Sequence, residues 1–227
     1  MDGCQGGEHT VTPQQLKAVS LFHGMQDEEI EELITLLNGY EKHYAKDEIL
    51  LHAGDTTDRL GVVLKGSVFV EFNDLWGNRT ILNKVSEHGF FGEVFAMMGG
   101  TKILVDVRAE TDCDVLYLQI GNLPDEVKKQ NAVHELSSNL LKISMSMNLS
   151  LTTRSLHTSQ RTIREKVLSY LSTCALQSGK KEFDIPFKRQ ELADYLCIDR
   201  SALSKELSAM QEEGIIRYRK NHFRILR

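Results

Sequence analysis

The chain has 227 residues, 41% hydrophobic and 26% charged, enough for one large domain or two smaller ones with real cores. No apolar run approaches the length of a bilayer span, and the opening "MDGCQGGEHTVTP" has neither a basic nor an apolar leader region, so a membrane protein and a secreted one are both set aside. The net charge of −5 conceals an asymmetry: residues 1–160 carry 13 basic and 23 acidic groups, residues 161–227 carry 14 and 9, the layout of a polyanion-binding module attached to a body that repels polyanions.

In chain order, residues 13–37 read as helical. Ile30, Leu33, Ile34 and Leu37 recur at helical spacing, and Asp27 is placed as an N-cap. From Tyr40 to Leu118 the texture is β. Short runs such as "VFVEF", "RTILNKV" and "DVLYL" are punctuated by Gly, Asn and Asp, and "KGSVFVEFNDLWGNRTILNKV" is a hairpin with its tip near Asp74–Asn78. Many short strands with regular turns predict an antiparallel barrel or jelly roll.

A long helix is expected from about Asp125 to Ser155. Val133, Leu136, Leu140, Ile143 and Met147 are spaced 3, 4, 3, 4, a heptad seam of the kind that pairs two chains, so these five are the expected dimer interface. Leu141, Met145 and Leu149 form a second apolar stripe. One stripe is expected to face the barrel and the other a partner.

A further helix in "SQRTIREKVLSYLSTCAL" stops at Gly179, and "EFDIPF" is a short strand. Then "RQELADYLCIDRSALSKEL" reads as two short helices broken at Cys197-Ile198-Asp199. Leu192, Ala193 and Leu196 supply the buried face of the first. Ala202, Leu203, Leu207 and Met210 supply that of the second, with Asp199 as its N-cap. Arg200, Ser201 and Lys205 are left outward, where cationic donors match the two acceptors on guanine, and Arg189 and Gln190 open the support helix. "GIIRYRKNHFRIL" closes the chain as a hairpin rich in basic residues, suited to a wing along a phosphate backbone.

Taken together, this order resembles the Crp/Fnr family of bacterial transcription regulators. The likeness is carried by "FFGEVFAMMGGTKILVDVRAETDCDVLYL", similar to the family's phosphate-binding cassette, and by "RQELADYLCIDRSALSKEL", similar to its DNA-reading motif. It implies an α+β protein: an N-terminal jelly-roll barrel of the cyclic-nucleotide-binding type over 1–124, a dimerisation helix over 125–157, and a winged helix-turn-helix over 158–227. It implies a cytoplasmic homodimer that reads a palindromic site on double-stranded DNA, with RNA polymerase as a further partner, no resident cofactor and no catalytic activity. Arg200, Ser201 and Lys205 fall on base-reading positions, Arg189 on a backbone-contacting one.

The departures from the family pattern concern the effector. Gly92 and Glu93 match the cassette, but Ile103 and Leu104 stand where nucleotide-binding members carry the Arg-Ser or Arg-Thr pair that holds the phosphate. A buried phosphate there would lack its counter-charge. The expected pocket, lined by Gly92, Glu93, Ile103, Leu104, Leu149 and Ser150, therefore suits an apolar or weakly polar molecule whose identity stays open. The alternatives are a thiol-based redox regulator using Cys4 or Cys113, and a cyclic-nucleotide-responsive regulator in which Lys102 replaces the missing cation. The family's iron–sulfur branch needs a cysteine cluster where Cys4 stands alone, and its haem branch needs an axial ligand, for which His88 is the candidate. The eight histidines contain no H-x-H pair of the kind a cupin-type metalloenzyme uses.

Overall fold

The computed structural model describes residues 11–74, 76 and 78–227. The chain divides into two compact units, Met1–Ile143 and Ser144–Arg227. Cys4 lies outside the described residues.

In the first unit, α1 (Pro13–Leu16), a 3-10 turn (Ser20–Phe22) and α2 (Asp27–Leu36) replace the single expected helix. The chain breaks at Gly24, whose φ of +86° is left-handed. Gln26, not Asp27, caps α2: its N–H donates to Glu29 Oε2 at 2.7 Å, and Asp27 sits one residue inside, ion-paired to Lys17.

Eight strands follow: β1 (Tyr40–Tyr44), β2 (Ile49–Leu51), β3 (Arg59–Lys65), β4 (Ser67–Asn73), β5 (Arg79–Ser86), β6 (Phe90–Phe91), β7 (Asp106–Ala109) and β8 (Cys113–Gln119), with α3 (Glu93–Met98) between β6 and β7. They form two antiparallel four-stranded sheets, ordered β1-β8-β3-β6 and β2-β7-β4-β5. This is the jelly-roll arrangement, and β4 and β5 make the expected hairpin.

The alternation of strand side chains is what joins this domain to its helices. On β3 and β8, Val63, Val115 and Tyr117 turn into the space between the sheets, where they meet Val68, Phe91 and Val107. Leu60, Val62, Leu116 and Leu118 turn the other way, onto Leu21, Phe22, Ile30 and Leu33 of the N-terminal helices. Gly61 pairs with Phe91 across the strands, and the Phe91 ring occupies the space a β-carbon at Gly61 would need. Glu71 is fully buried on β4, held by Arg108 at 2.9 Å and Arg79 at 2.5 Å, so its charge is compensated on both oxygens.

The expected long helix is two: α4 (Asp125–Lys128) and α5 (Asn131–Thr158). Asn139 is buried on α5 because its side-chain amide donates to the carbonyls of Leu21 (3.0 Å) and His23 (2.9 Å), which ties the helix to the N-terminal segment.

In the second unit, α6 (Ile163–Ser178) starts at Thr162, which accepts from Glu165 N–H and receives the Glu165 carboxylate on its own N–H. Then come β9 (Glu182–Asp184), α7 (Arg189–Tyr195), α8 (Arg200–Glu212), β10 (Ile216–Arg219) and β11 (His222–Ile225), the last two pairing with β9 in the order β10-β11-β9. Leu171 of α6, Leu192 and Leu196 of the α7 segment, Leu203, Leu207 and Met210 of α8, and Phe223 of β11 form one core. Leu207 is completely buried in it. Leu207→Ala is expected to cost about 2–5 kcal/mol, from lost transfer energy and the cavity left behind. Urea unfolding followed by far-UV circular dichroism checks this, and a change below about 1 kcal/mol would show that the core collapses onto the gap.

Candidate nucleic-acid interface and effector cassette

The turn between α7 and α8 is set by backbone bonds that the sequence alone does not display. Cys197 N–H donates to Asp194 O and Ile198 N–H to Ala193 O, a Schellman arrangement closed by Cys197 in the left-handed region at φ +53°. Ile198 tucks against the core. Asp199 then starts α8 by accepting from the N–H groups of Ser201 (2.8 Å) and Ala202 (2.9 Å). The Ser201 hydroxyl also donates to it, and these bonds hold the Asp199 carboxyl below its ordinary range.

Because Leu203, Leu207 and Met210 face inward, Ser201 and Lys205 are exposed on the opposite side, while Arg200, in line with the buried stripe, is exposed as the first residue of α8, ahead of the packed turns. Among the described residues neither the Arg200 nor the Lys205 side chain has an ion pair or hydrogen bond. Other cations of the unit are committed. Arg164 of α6 holds Glu213 with both terminal nitrogens (2.7 and 2.6 Å) and Glu206 with Nε (2.6 Å), locking α6 to α8. Arg154 of α5 donates to the carbonyls of Tyr195 (3.0 Å) and Asp194 (3.3 Å).

Arg189 is half-buried, stacked over Tyr218 at 5.0 Å and reaching the Lys220 carbonyl at 3.5 Å, so it braces the support helix against the β10–β11 wing. Gln190 bonds Asp194 at 2.8 Å along its own helix. On the wing, His222 is clasped by Asp184 and Glu182, each at 3.0 Å, and these carboxylates push its pKa up, Glu182 most strongly. The wing's outward cations are Arg217, Arg219, Lys220 and Arg224. This clamp spans residues too far apart in sequence for any spacing argument to find.

The five seam residues of α5 divide differently from the expectation. Val133, Leu136 and Leu140 pack into the core of their own unit; Leu140, the least covered, is 7% exposed. Ile143 leans on the same core, and Met147 is exposed. Val133, Leu136 and Leu140 are thus committed to the core of their own unit, which leaves little of them for a partner chain. The second stripe is the open one: Leu141, Met145 and Leu149 are 56%, 61% and 68% exposed.

The cassette also departs from its expected lining. Gly92 adopts φ +83° at the start of α3, with the Arg59 carbonyl too close for a side chain to be comfortable. Glu93 follows as the first residue of α3, and burial pushes its pKa up despite its own backbone N–H. Ile103 is a core residue whose N–H and C=O bond Asp55 and Gly54. Leu104 is 69% exposed. Leu149 and Ser150 belong to the second unit and line a cavity there. A cavity of about 360 Å³ does exist in the first unit, against α5, with apolar walls that include Leu37, Met97, Ile120 and Leu136 and with Asn122, Lys128 and Ser137 as its polar groups. Periodicity gave no hint of it, since such residues read simply as core. His88 sits in a turn at φ +67°, half-exposed beside Glu87, and Cys113 is buried with its thiol pushed up to about 11 by burial and neighbouring acids.

Two family models match: a cyclic nucleotide-binding domain over residues 41–129 and a Crp-like helix-turn-helix domain over residues 165–227. The chain belongs to the Crp/Fnr family of transcription regulators. Such regulators bind DNA and act as dimers, and they are typically not enzymes. The chain is 26% identical to the transcriptional activator protein FnrL of Cereibacter sphaeroides over 196 residues, 82% of this chain and 76% of that one. It is 35% identical to the cAMP-activated global transcriptional regulator CRP of Haemophilus influenzae over 72 residues, 32% of each chain. The crystal structure of DNR from Pseudomonas aeruginosa shares the fold, with a TM-score of 0.50 at 20% identity, covering 97% of this chain and 96% of that one.

Proposed function

We propose that this regulator works as a homodimer in which Arg200 and Lys205 read bases in the major groove of a palindromic site. The observation that carries this reading is the unpaired, exposed state of those two cations, Arg200 at the start of α8 and Lys205 opposite the face locked into the core. Ser201 contributes through its lone pairs, since its proton is spent on Asp199. Arg189 and Gln190, which open the support helix, are read as its phosphate contacts, and Arg189 also braces the wing through Tyr218. Function is divided among an effector barrel (1–124), a dimerisation helix (125–157) and the DNA-reading domain (158–227), with RNA polymerase as the further partner.

Arg200→Ala is expected to weaken specific binding by about 1–3 kcal/mol and relax preference at one position per half-site. Binding assays on randomised operators check it. Equal losses on specific and random DNA would remove Arg200 from the base-reading set.

The dimer contact is assigned to the exposed stripe Leu141, Met145 and Leu149 with Met147, in place of the seam that the core absorbs. Met145→Lys puts a charge into that contact and is expected to give monomers with a native far-UV spectrum, measured by sedimentation. A Met145→Lys protein that sediments as an unchanged dimer would place the interface elsewhere.

The effector is read as apolar or weakly polar. The cassette offers a buried Ile103 and a solvent-facing Leu104 in place of a cationic pair, and the first unit's cavity has mostly apolar walls. A thiol mechanism through Cys113 is disfavoured by its burial and raised pKa. Calorimetry with cyclic AMP and cyclic GMP is expected to give no binding. A micromolar dissociation constant for either would overturn the reading and direct attention to the exposed Lys102.

A further inference from the structure

The second unit holds a cavity of about 400 Å³ that neither the DNA-reading face nor the cassette uses. It opens between the last turns of α5, the middle of α6 and the segment running from β9 into α7. One wall is aromatic: the rings of Tyr170, Phe187 and Tyr195 stand 4.9 to 6.0 Å apart. The rest is uncharged, part polar with Ser146, Ser150, Thr153, Thr173 and Gln177, and part apolar with Leu149, Cys174 and Pro186.

His157 also lines it. The ring is 1% exposed, shares a 2.9 Å hydrogen bond between Nδ1 and the Ser169 hydroxyl, and lies edge-on to Tyr170 at 5.7 Å. Burial pushes its pKa down, which favours the neutral ring. Its Nε2 makes no hydrogen bond among the described residues. With His157 neutral, no described side chain lining the cavity carries a formal charge.

We infer that this cavity binds a flat, uncharged nitrogen heteroaromatic molecule, which stacks among Tyr170, Phe187 and Tyr195 and hydrogen-bonds His157 Nε2, and that its occupancy tunes DNA reading. The volume falls in the range of small-molecule sites, about 300–1,000 Å³. Ring faces and edges favour planar aromatic guests. The free Nε2 of His157 gives a guest one directed hydrogen bond at the wall of the cavity. The absence of cations among these lining residues rules against phosphates and carboxylates, which would enter without counter-charge.

The coupling to DNA reading comes from Tyr195. It is a cavity wall, and it is also the last residue of α7, two positions before the left-handed Cys197. Arg154 from α5 grips the Tyr195 and Asp194 carbonyls and lies 5.7 Å over the Tyr195 ring. A guest that moves the Tyr195 ring therefore acts on the bonds that hold the helix-turn-helix to α5. It shifts DNA affinity by as much as its own affinity differs between the free and DNA-bound forms.

The test uses full-length protein and two probes: indole, which offers an N–H, and quinoline, which offers a ring nitrogen. Together they meet either tautomer of His157. Calorimetry is expected to show saturable binding of at least one probe, one per chain. Gln177→Trp, at the exposed rim, should weaken it about tenfold or more. Ser146→Trp, which closes the cavity from the α5 side, is the second blocking variant and should do the same if Gln177→Trp melts early. The bound probe should change operator affinity at least about threefold in the wild-type chain and not in a blocked variant. Absence of saturable binding by both probes, or equal affinity in both folded blocked variants, overturns the site. Binding without any change in operator affinity overturns its regulatory role. Probe binding is read before DNA is added, so its failure is separate from a failure of the base-reading assignment.

Discussion

The burial of three side chains, Leu203, Leu207 and Met210, governs how the DNA-reading unit works. Each is worth about 1.5–3 kcal/mol out of water. Exposed ion pairs are worth about 0–1 kcal/mol, so surface charges cannot rotate α8 against that stripe. Once the stripe is committed, Lys205 has no choice of side, and Arg200 stands free at the start of the helix. The Arg164 clamp on Glu206 and Glu213 then fixes α8 along its length. The rigid presentation of two cations thus follows from apolar packing, and electrostatics only uses what packing leaves over.

The same rule decides the long helix. α5 carries two apolar stripes that look equivalent by spacing. The stripe through Val133, Leu136 and Leu140 lies against α2 and the N-terminal segment, which also capture Asn139 through two carbonyls. That polar anchor sets the rotation of the helix, because an unpaired buried amide is expensive. What remains outward is the Leu141, Met145 and Leu149 stripe, large apolar side chains of the kind a partner surface covers.

In the cassette, Gly92 and Glu93 keep their positions at the start of α3, and the segment after α3 does not present a paired cation. Ile103 is drawn into the core by two backbone bonds to the Asp55 loop, which turns its neighbour Leu104 to solvent. With one side chain buried and the other in solvent, Ile103 and Leu104 do not act as a pair in this chain.

The sequence by itself determined the element order, the jelly-roll texture, the helix-turn-helix with its Asp199 cap, and the wing, because each rests on local periodicity or on turn chemistry within a few residues. It also displayed the charge asymmetry that singles out the C-terminal unit. It misplaced the cap of α2 by one residue and ran α4 into α5, since Gln26 and Asp27 are both acceptable caps and the break at Lys129–Gln130 has no glycine or proline to mark it. Only the tertiary structure decided which α5 stripe is buried, that Leu104 faces water, that Arg189 stacks on Tyr218, and that His157 lines an aromatic cavity. Those outcomes depend on contacts between residues tens of positions apart, and a helical period reports that a face is apolar without saying what it will meet.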